Sequence, residues 1–502
     1  MTPNDSPNAR STDSSVIRWA RRLGVDRAVA FAVLARMWQL LTGPVTQLLI
    51  VFCFSVNQQG YYYAFLNLLA MQVFVELGLH VVLINVASHE WSGLRLEAGQ
   101  IAGDVEKRSR LVSLGRTAVV WYSVAALVFV VAVSVAGVWF FEDTATQRTG
   151  VQDLEQTQAQ PVSETATPIA TLAGDSAPAV HWIAPWLGLV VFTGLQLALL
   201  PLTAILEGCG QLPTVNRLRF WQGIAGSCVV WILIVAGCGL WALAGSAAVR
   251  LLGELYLVAV RYRGFFEVFR RAPEAGLLSW KSEVLPLQWR IAIQGALLWL
   301  AAHLAGLVLF RRSETEAAQY GMMWTILAAM QAASLSWVET RRPLFGTLIA
   351  ERRFAELDDS FFRLSRISIL LMAAGGAAFS TGVWVVGNWS NWFFDRIAAR
   401  LPDVKVAAIL SLAMVVMHLA QCTNIYVRAH KRDPFLAASI VSNIAIASLV
   451  FWLGTNYGMS GVVLGYLAGV SIVQVPLWLS IWHVTRRDWH GVGTMENAGT
   501  GG

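Results

Sequence analysis

From residue 28 to residue 484 the chain is a succession of apolar stretches, each long enough to cross a bilayer and parted from the next by a few polar or charged residues. Crossing about 30 Å of hydrocarbon takes roughly 20 apolar residues in a helix. Twelve such spans are read, at 28–54, 61–87, 112–141, 183–206, 217–241, 245–262, 289–310, 319–340, 362–386, 405–427, 434–454 and 459–484. Composition agrees, with 56% hydrophobic residues and only 14% charged, where soluble domains carry about 25% charged. Trp concentrates at membrane–water interfaces, and the chain has 22 of them. The expectation is an all-α membrane protein.

Charge distribution fixes an orientation. With a cytoplasmic N-terminus, 29 Lys and Arg fall on the cytoplasmic side and seven on the other: Arg148, Arg250, Arg311, Arg312, Arg396, Arg400 and Lys405. That bias obeys the positive-inside rule and places both termini in the cytoplasm. The first 27 residues are polar and Ser-rich without an apolar core, so no cleaved signal peptide is expected. Residues 142–180, rich in Thr, Gln, Ala and Ser, are expected to form a disordered loop on the outer side. The five cysteines, Cys53, Cys209, Cys228, Cys238 and Cys422, form no CxxC and read as packing residues, with no disulfide or metal site implied.

An internal repeat organises the spans. "NQQGYYYAFLNLLAMQ" (57–72) aligns with "EAAQYGMMWTILAAMQ" (316–331), pairing Tyr61 with Tyr320 and Leu68 with Leu327 at an offset of 259. Each copy opens the second span of a set of six. Two parallel six-helix lobes, related by an axis along the membrane normal, then enclose a central cavity. The boundaries follow: a cytoplasmic segment 1–27, an N-terminal lobe 28–262, a cytoplasmic linker 263–288, a C-terminal lobe 289–484 and a flexible cytoplasmic tail 485–502.

Polar side chains inside spans are costly in lipid, at least about 2.5–3.5 kcal/mol for a charge on insertion scales, so they face a cavity or a partner. Gln72, Glu76 and His80 recur every four residues in span two and predict one polar stripe. Arg36 in span one lies near the level of His80, within about a turn of Glu76. It reads either as an anion-binding group with Glu76 as proton carrier, or as half of an Arg36–Glu76 ion pair. Gly43-Pro44 places a kink or hinge in span one. In the second copy Gln331 matches Gln72 and Glu339 matches His80, but Leu335 replaces Glu76, so any ion coupling is expected in the first lobe. Arg290 and Gln294 in span seven, with His303 beyond them, and His418, Gln421 and Asn424 in span ten, followed by Arg428, complete the cavity candidates. Arg250 and Glu254 sit four apart in span six and read as a pair with each other. No GxxxxGK[ST] appears, so energy must come from an ion gradient, the membrane potential or the substrate gradient. No cofactor, metal or nucleic-acid partner is expected.

The segments "RMWQLLTGPVTQLLIVFCFSVNQQGYYYAFLNLLAMQVFVELGL" and "IYVRAHKRDPFLAASIVSNI", set in twelve spans and two parallel halves, resemble the bacterial O-antigen and polysaccharide flippases. These belong to the multidrug/oligosaccharidyl-lipid/polysaccharide exporter (MOP) superfamily. The resemblance implies a multi-pass protein of the bacterial inner membrane that flips a polyprenyl-diphosphate-linked oligosaccharide to the periplasmic leaflet for surface polysaccharide biosynthesis. Its partners would be membrane lipids, the lipid-linked glycan and polysaccharide assembly proteins, with Arg36, Arg290 and Arg428 meeting the diphosphate. The alternatives are a cation-coupled multidrug antiporter with Glu76 as proton carrier, a membrane glycosyltransferase or polymerase, and a non-transporting scaffold. The outer loop "SVNQQG" has no charge, which counts against an enzyme acting on that face.

Overall fold

The structure, a computed structural model, describes residues 27–76, 78–158, 180–270, 278–280, 285–389, 391–430 and 434–496. The expectations for 1–26, 159–179, 271–277, 281–284 and 497–502 lie outside the described residues. So do the side chains of Arg36 and Arg290, although the backbone of each is helical.

The N-terminal lobe opens with α1 (Arg27–Cys53), which runs unbroken through Pro44. Next, α2 (Val56–Leu69) starts on a capping box, in which Gln58 N donates to Ser55 Oγ at 3.1 Å and Ser55 N donates to Gln58 Oε1 at 3.0 Å. It continues through a tight turn to Glu76, and α3 (Leu79–Trp91) completes span two after a bend of 41°. An antiparallel hairpin, β1 (Leu94–Glu97) and β2 (Gln100–Gly103), leads into α4 (Val105–Gln158). After it come α5 (Ile183–Leu206), α6 (Leu212–Val235) and α7 (Trp241–Tyr256), the last extended by a π-helical turn to Arg261. Gly210, at φ 76°, makes the turn between α5 and α6.

The C-terminal lobe holds α8 (Leu285–Arg312), α9 (Glu314–Glu339), the short α10 (Arg342–Ala350), α11 (Phe354–Asn388), the short α12 (Trp392–Ala398), α13 (Val404–Ala429), α14 (Leu436–Ala468) and α15 (Val475–Glu496). Gly458, at φ 62°, folds α14 into a hairpin. The two limbs touch backbone to backbone: a Cβ on Gly461 would lie 2.0 Å from Leu453 O, and one on Gly465 2.8 Å from Leu449 O. Helices in lipid gain little from apolar burial and associate through close packing at small residues, so this row of glycines supplies the contact. Seven stretches are each long and apolar enough to span; Ile183–Val235 and Leu436–Trp489 hold two spans apiece, and the bent pair forming span two adds one. With α1 and α9 these make the twelve spans of an all-α, two-lobed membrane protein.

Within the first lobe α1 packs on α6, α4 on α5, and α7 on both α5 and α6; within the second, α8 packs on α14 and α11 on α9 and α13. The lobes meet where α2 lies against α9 and α8. The aligned repeat copies are therefore the seam. Tyr61 anchors it, with ring centroids 5.0 Å from Phe310 of α8 and 5.4 Å from Phe141 of α4.

Three expectations change. Residues 142–158 continue α4 as helix rather than loop; extending an existing helix needs no nucleation, and Gln, Glu, Ala and Arg are good helix formers. Residues 485–496 extend α15 rather than fraying, because Arg486 Nε donates to Asp358 Oδ2 at 3.0 Å and the Trp489 ring sits 4.9 Å from His430. Arg250 lies well inside α7, not in an outer connection.

Candidate functional site

Span two is where the sequence spends polar residues in hydrocarbon, and its backbone decides where they point. The tight turn Ala70–Gln72 and the helical turn Val73–Glu76 present Gln72 and Glu76 together toward α5 and α7. There they line a cavity of about 270 Å³ with Thr193, Gln196 and Arg250. Leu66, Leu69, Leu197 and Leu200 supply apolar lining beside these five polar groups. Gln196 extends the site, donating from Nε2 to Glu254 Oε1 at 3.2 Å. The other carboxylate oxygen of Glu254, Oε2, is buried and has no hydrogen-bond partner. Glu254 thus takes its hydrogen bond from Gln196, while Arg250 attracts it without a hydrogen bond, so the pair read from their spacing is one of charge only. Gln196 and Thr193 had no signal beyond being polar within an apolar run.

The stripe from Gln72 to His80 does not continue. Gly78 takes φ 66° and breaks the ladder of i→i+4 hydrogen bonds, so α3 leaves in a new direction. His80 instead faces the α5–α6 turn, its Nε2 3.9 Å from Glu207 Oε1. Glu207 is itself clasped by Arg219.

The second lobe uses its polar residues internally. His418 is fully buried, with Nε2 2.7 Å from Ser368 Oγ, and Gln331 Nε2 approaches Met414 O at 3.4 Å. Both tie helices of one lobe together, on the faces where α9, α11 and α13 pack. Gln421 and Asn424 are half-buried, each with a carbonyl oxygen that has no partner, and Arg428 is exposed. Gln294 is half-buried on α8. Two and a half turns further along α8 the lobes touch through His303, whose Nδ1 lies 2.9 Å from Asn67 Oδ1. Gly43 faces open space and Pro44 is exposed.

Hydrogen bonds across the seam gather between the level of Asn67 and the face opposite the termini. Gln59 Nε2 donates to Ala318 O at 3.2 Å, and Arg311 pairs with Asp143. Arg400, just after α12, donates to Gln59 Oε1 at 2.9 Å and to the carbonyls of Val51 and Phe54, while Arg396 donates to Phe52 O at 2.8 Å. Three of the seven basic residues that the charge bias puts on the minority side, Arg311, Arg396 and Arg400, are thus lobe-to-lobe ties. Their position against the bias was the available signal.

No family model matches the chain, and no curated protein matches it. Solved structures do. An inward-facing multidrug resistance MATE family transporter of the MOP superfamily superposes with a TM-score of 0.53 at 12% identity, covering 89% of this chain and 98% of that one. This chain shares the fold of that transporter. An outward-facing MATE structure follows at TM-score 0.49 and 12% identity, covering 92% and 96%. A point variant of the Vibrio cholerae MATE transporter VcmN gives 0.49 at 11%, covering 94% and 98%. The likeness spans nearly the whole of each chain, and at these identities it is a likeness of fold.

Proposed function

We propose that the protein is an alternating-access transporter of the inner membrane in which a proton or small cation, entering the N-terminal lobe at Glu76 and Glu254, drives export of an organic compound. One observation carries the reading: Glu254 Oε2 is a buried carboxylate oxygen without a partner, one residue removed through Gln196 from a polar cavity that also holds Glu76. An unsatisfied charged group in the interior is costly, and a bound proton or cation removes that cost. Occupancy of the site then biases the balance between lobe arrangements, as a ligand that prefers one state must. The inward-facing transporter sharing this fold supports the same reading, and so does the clustering of lobe-to-lobe hydrogen bonds on one face. With the termini in the cytoplasm, that closed face is the periplasmic one.

The test is uptake into everted vesicles energised by respiration, using fluorescent organic cations. Glu254→Gln and Glu76→Gln are expected to abolish accumulation against a gradient while leaving substrate binding. Unchanged accumulation by both variants would remove the coupling site.

A second reading, flipping of a lipid-linked oligosaccharide, keeps the resemblance of the first two spans and of "RAHK" to the polysaccharide flippases. Arg250 in the cavity favours it, since a guanidinium suits a diphosphate. A polyprenyl-diphosphate glycan accumulating in a deletion strain would decide for it, and drug sensitivity of that strain for the first.

A further inference from the structure

Arg400 is only 5% exposed, yet every hydrogen-bond acceptor it meets is neutral: Gln59 Oε1 and the backbone oxygens of Val51 and Phe54. All three belong to the opposite lobe. A guanidinium buried for stability alone would be expected beside a carboxylate, because a buried charge is tolerated when paired. Here it rests at the carboxyl end of α1, where the last turn leaves carbonyls without helical partners and the helix dipole is negative. Arg396, one turn earlier on α12, repeats the arrangement, donating to Phe52 O and lying over the Phe52 ring at 6.0 Å. Gln59 joins this cluster to the seam, since its oxygen takes Arg400 and its nitrogen gives to Ala318 O.

Such bonds suit a contact that must break. When the lobes part on this face, Arg400 and the α1 carbonyls pass into water, where each is well hydrated and neither leaves an opposite charge behind. An ion pair would keep a long-range attraction across the opening gap. We infer that Arg400, assisted by Arg396, is a latch that shuts the transport path on the face opposite the termini, with α12 as the strap that carries it. The inference rests on the alternating-access reading.

Spin labels on the full chain in nanodiscs test it. Cys53 and Cys228 are replaced by Ser; Cys209 and Cys422 are buried. One pair, native Cys238 with Tyr457→Cys, reports the latch face, where both positions are exposed. A second pair, Glu97→Cys with Glu351→Cys, reports the face bearing the termini. Arg400→Gln and, independently, Gln59→Leu are expected to raise the ratio of long to short latch-face distances by about tenfold, while Arg487→Gln changes nothing. Distances unchanged in both variants, with each protein monodisperse and helical, overturn the latch. The two failures are distinguishable. If the unmodified protein exchanges long and short distances between faces but the variants leave the ratio alone, only the latch falls. If the unmodified protein and both variants hold one fixed distance on each face under all conditions, alternating access falls and the latch falls with it.

Discussion

Gln59 and Ala318 stand 259 positions apart, the offset of the internal repeat, and the side-chain amide of the first donates to the backbone carbonyl of the second at 3.2 Å. Residues that are equivalent under the repeat meet each other only on its symmetry axis. The seam of the two lobes is therefore the axis itself. Two large side chains cannot share an axis position, and the copies are complementary in size there. At the axis position the first copy supplies Gln59 and the second Ala318; one position off equivalence, Tyr63 of the first copy packs on Gly321 of the second, where an added Cβ would lie 2.2 Å from the Tyr63 ring. The divergence of the repeat is thus a requirement of the contact.

Gly60 gives a prediction from the same contact. A Cβ there would sit 2.5 Å from Glu314 O, and a backbone carbonyl at the start of α9 cannot swing aside as a side chain does. Gly60→Ala is expected to cost about 1–3 kcal/mol through overpacking, seen as a lower unfolding temperature in detergent. Gly43→Ala, with nothing within 4 Å, serves as the control and should change little. Equal effects of the two would mean that the lobes do not meet at Gly60.

In the N-terminal cavity Gln196 holds one oxygen of Glu254 while the other is left bare. Gln196→Leu fills similar volume but removes the donor, leaving both oxygens dependent on the incoming ion. The variant is expected to keep its fold and to change the driving-ion concentration that supports half-maximal efflux at least several-fold. Identical ion dependence in Gln196→Leu and the unmodified protein would place the coupling ion elsewhere.

The sequence made the spans and the two-lobed plan readable because both rest on long-range periodicity and on composition, which no single contact can overturn. The site was less readable because it depends on where a helix stops. Gln72, Glu76 and His80 share a face only if span two stays helical, and one left-handed residue, Gly78, separates the third from the first two. A glycine inside an apolar run could equally have packed against a neighbour, as Gly321 does. The polar stripe of span ten is ambiguous for a related reason. Spacing reports that His418 shares a face with Gln421, but not whether that face meets a cavity or another helix.

Beside His80, Glu207 and Arg219 make an ion pair whose members differ in exposure: the Glu207 side chain is 7% exposed and that of Arg219 45%. The difference sets an order of effects. Glu207→Ala releases a half-exposed guanidinium that can reach water, a loss of under about 1 kcal/mol for a screened pair. Arg219→Ala strands a buried carboxylate with only His80 at 3.9 Å, which costs roughly 1–3 kcal/mol. Thermal unfolding of the two variants should therefore rank Arg219→Ala as the less stable. The reverse order would show that Glu207 is reached by solvent from the membrane face.

His418 tests the boundary between the site and the packing of the second lobe. Ser368 Oγ carries one proton, and it donates that proton to Ser334 O at 2.6 Å, because a carbonyl can only accept. The 2.7 Å contact with His418 must then be a bond that the imidazole donates from Nε2. This fixes the ring as the Nε2–H tautomer and leaves Nδ1 buried as a bare acceptor without a partner. His418→Leu removes that orphan acceptor together with one neutral hydrogen bond, and Ser368 keeps Ser334. Loss of the bond, near 1 kcal/mol, and relief of the orphan oppose each other, so stability is expected to move by less than about 1 kcal/mol. Efflux should be unaffected, whereas Glu254→Gln abolishes it. A His418→Leu protein that folds but no longer transports would return span ten to the translocation path.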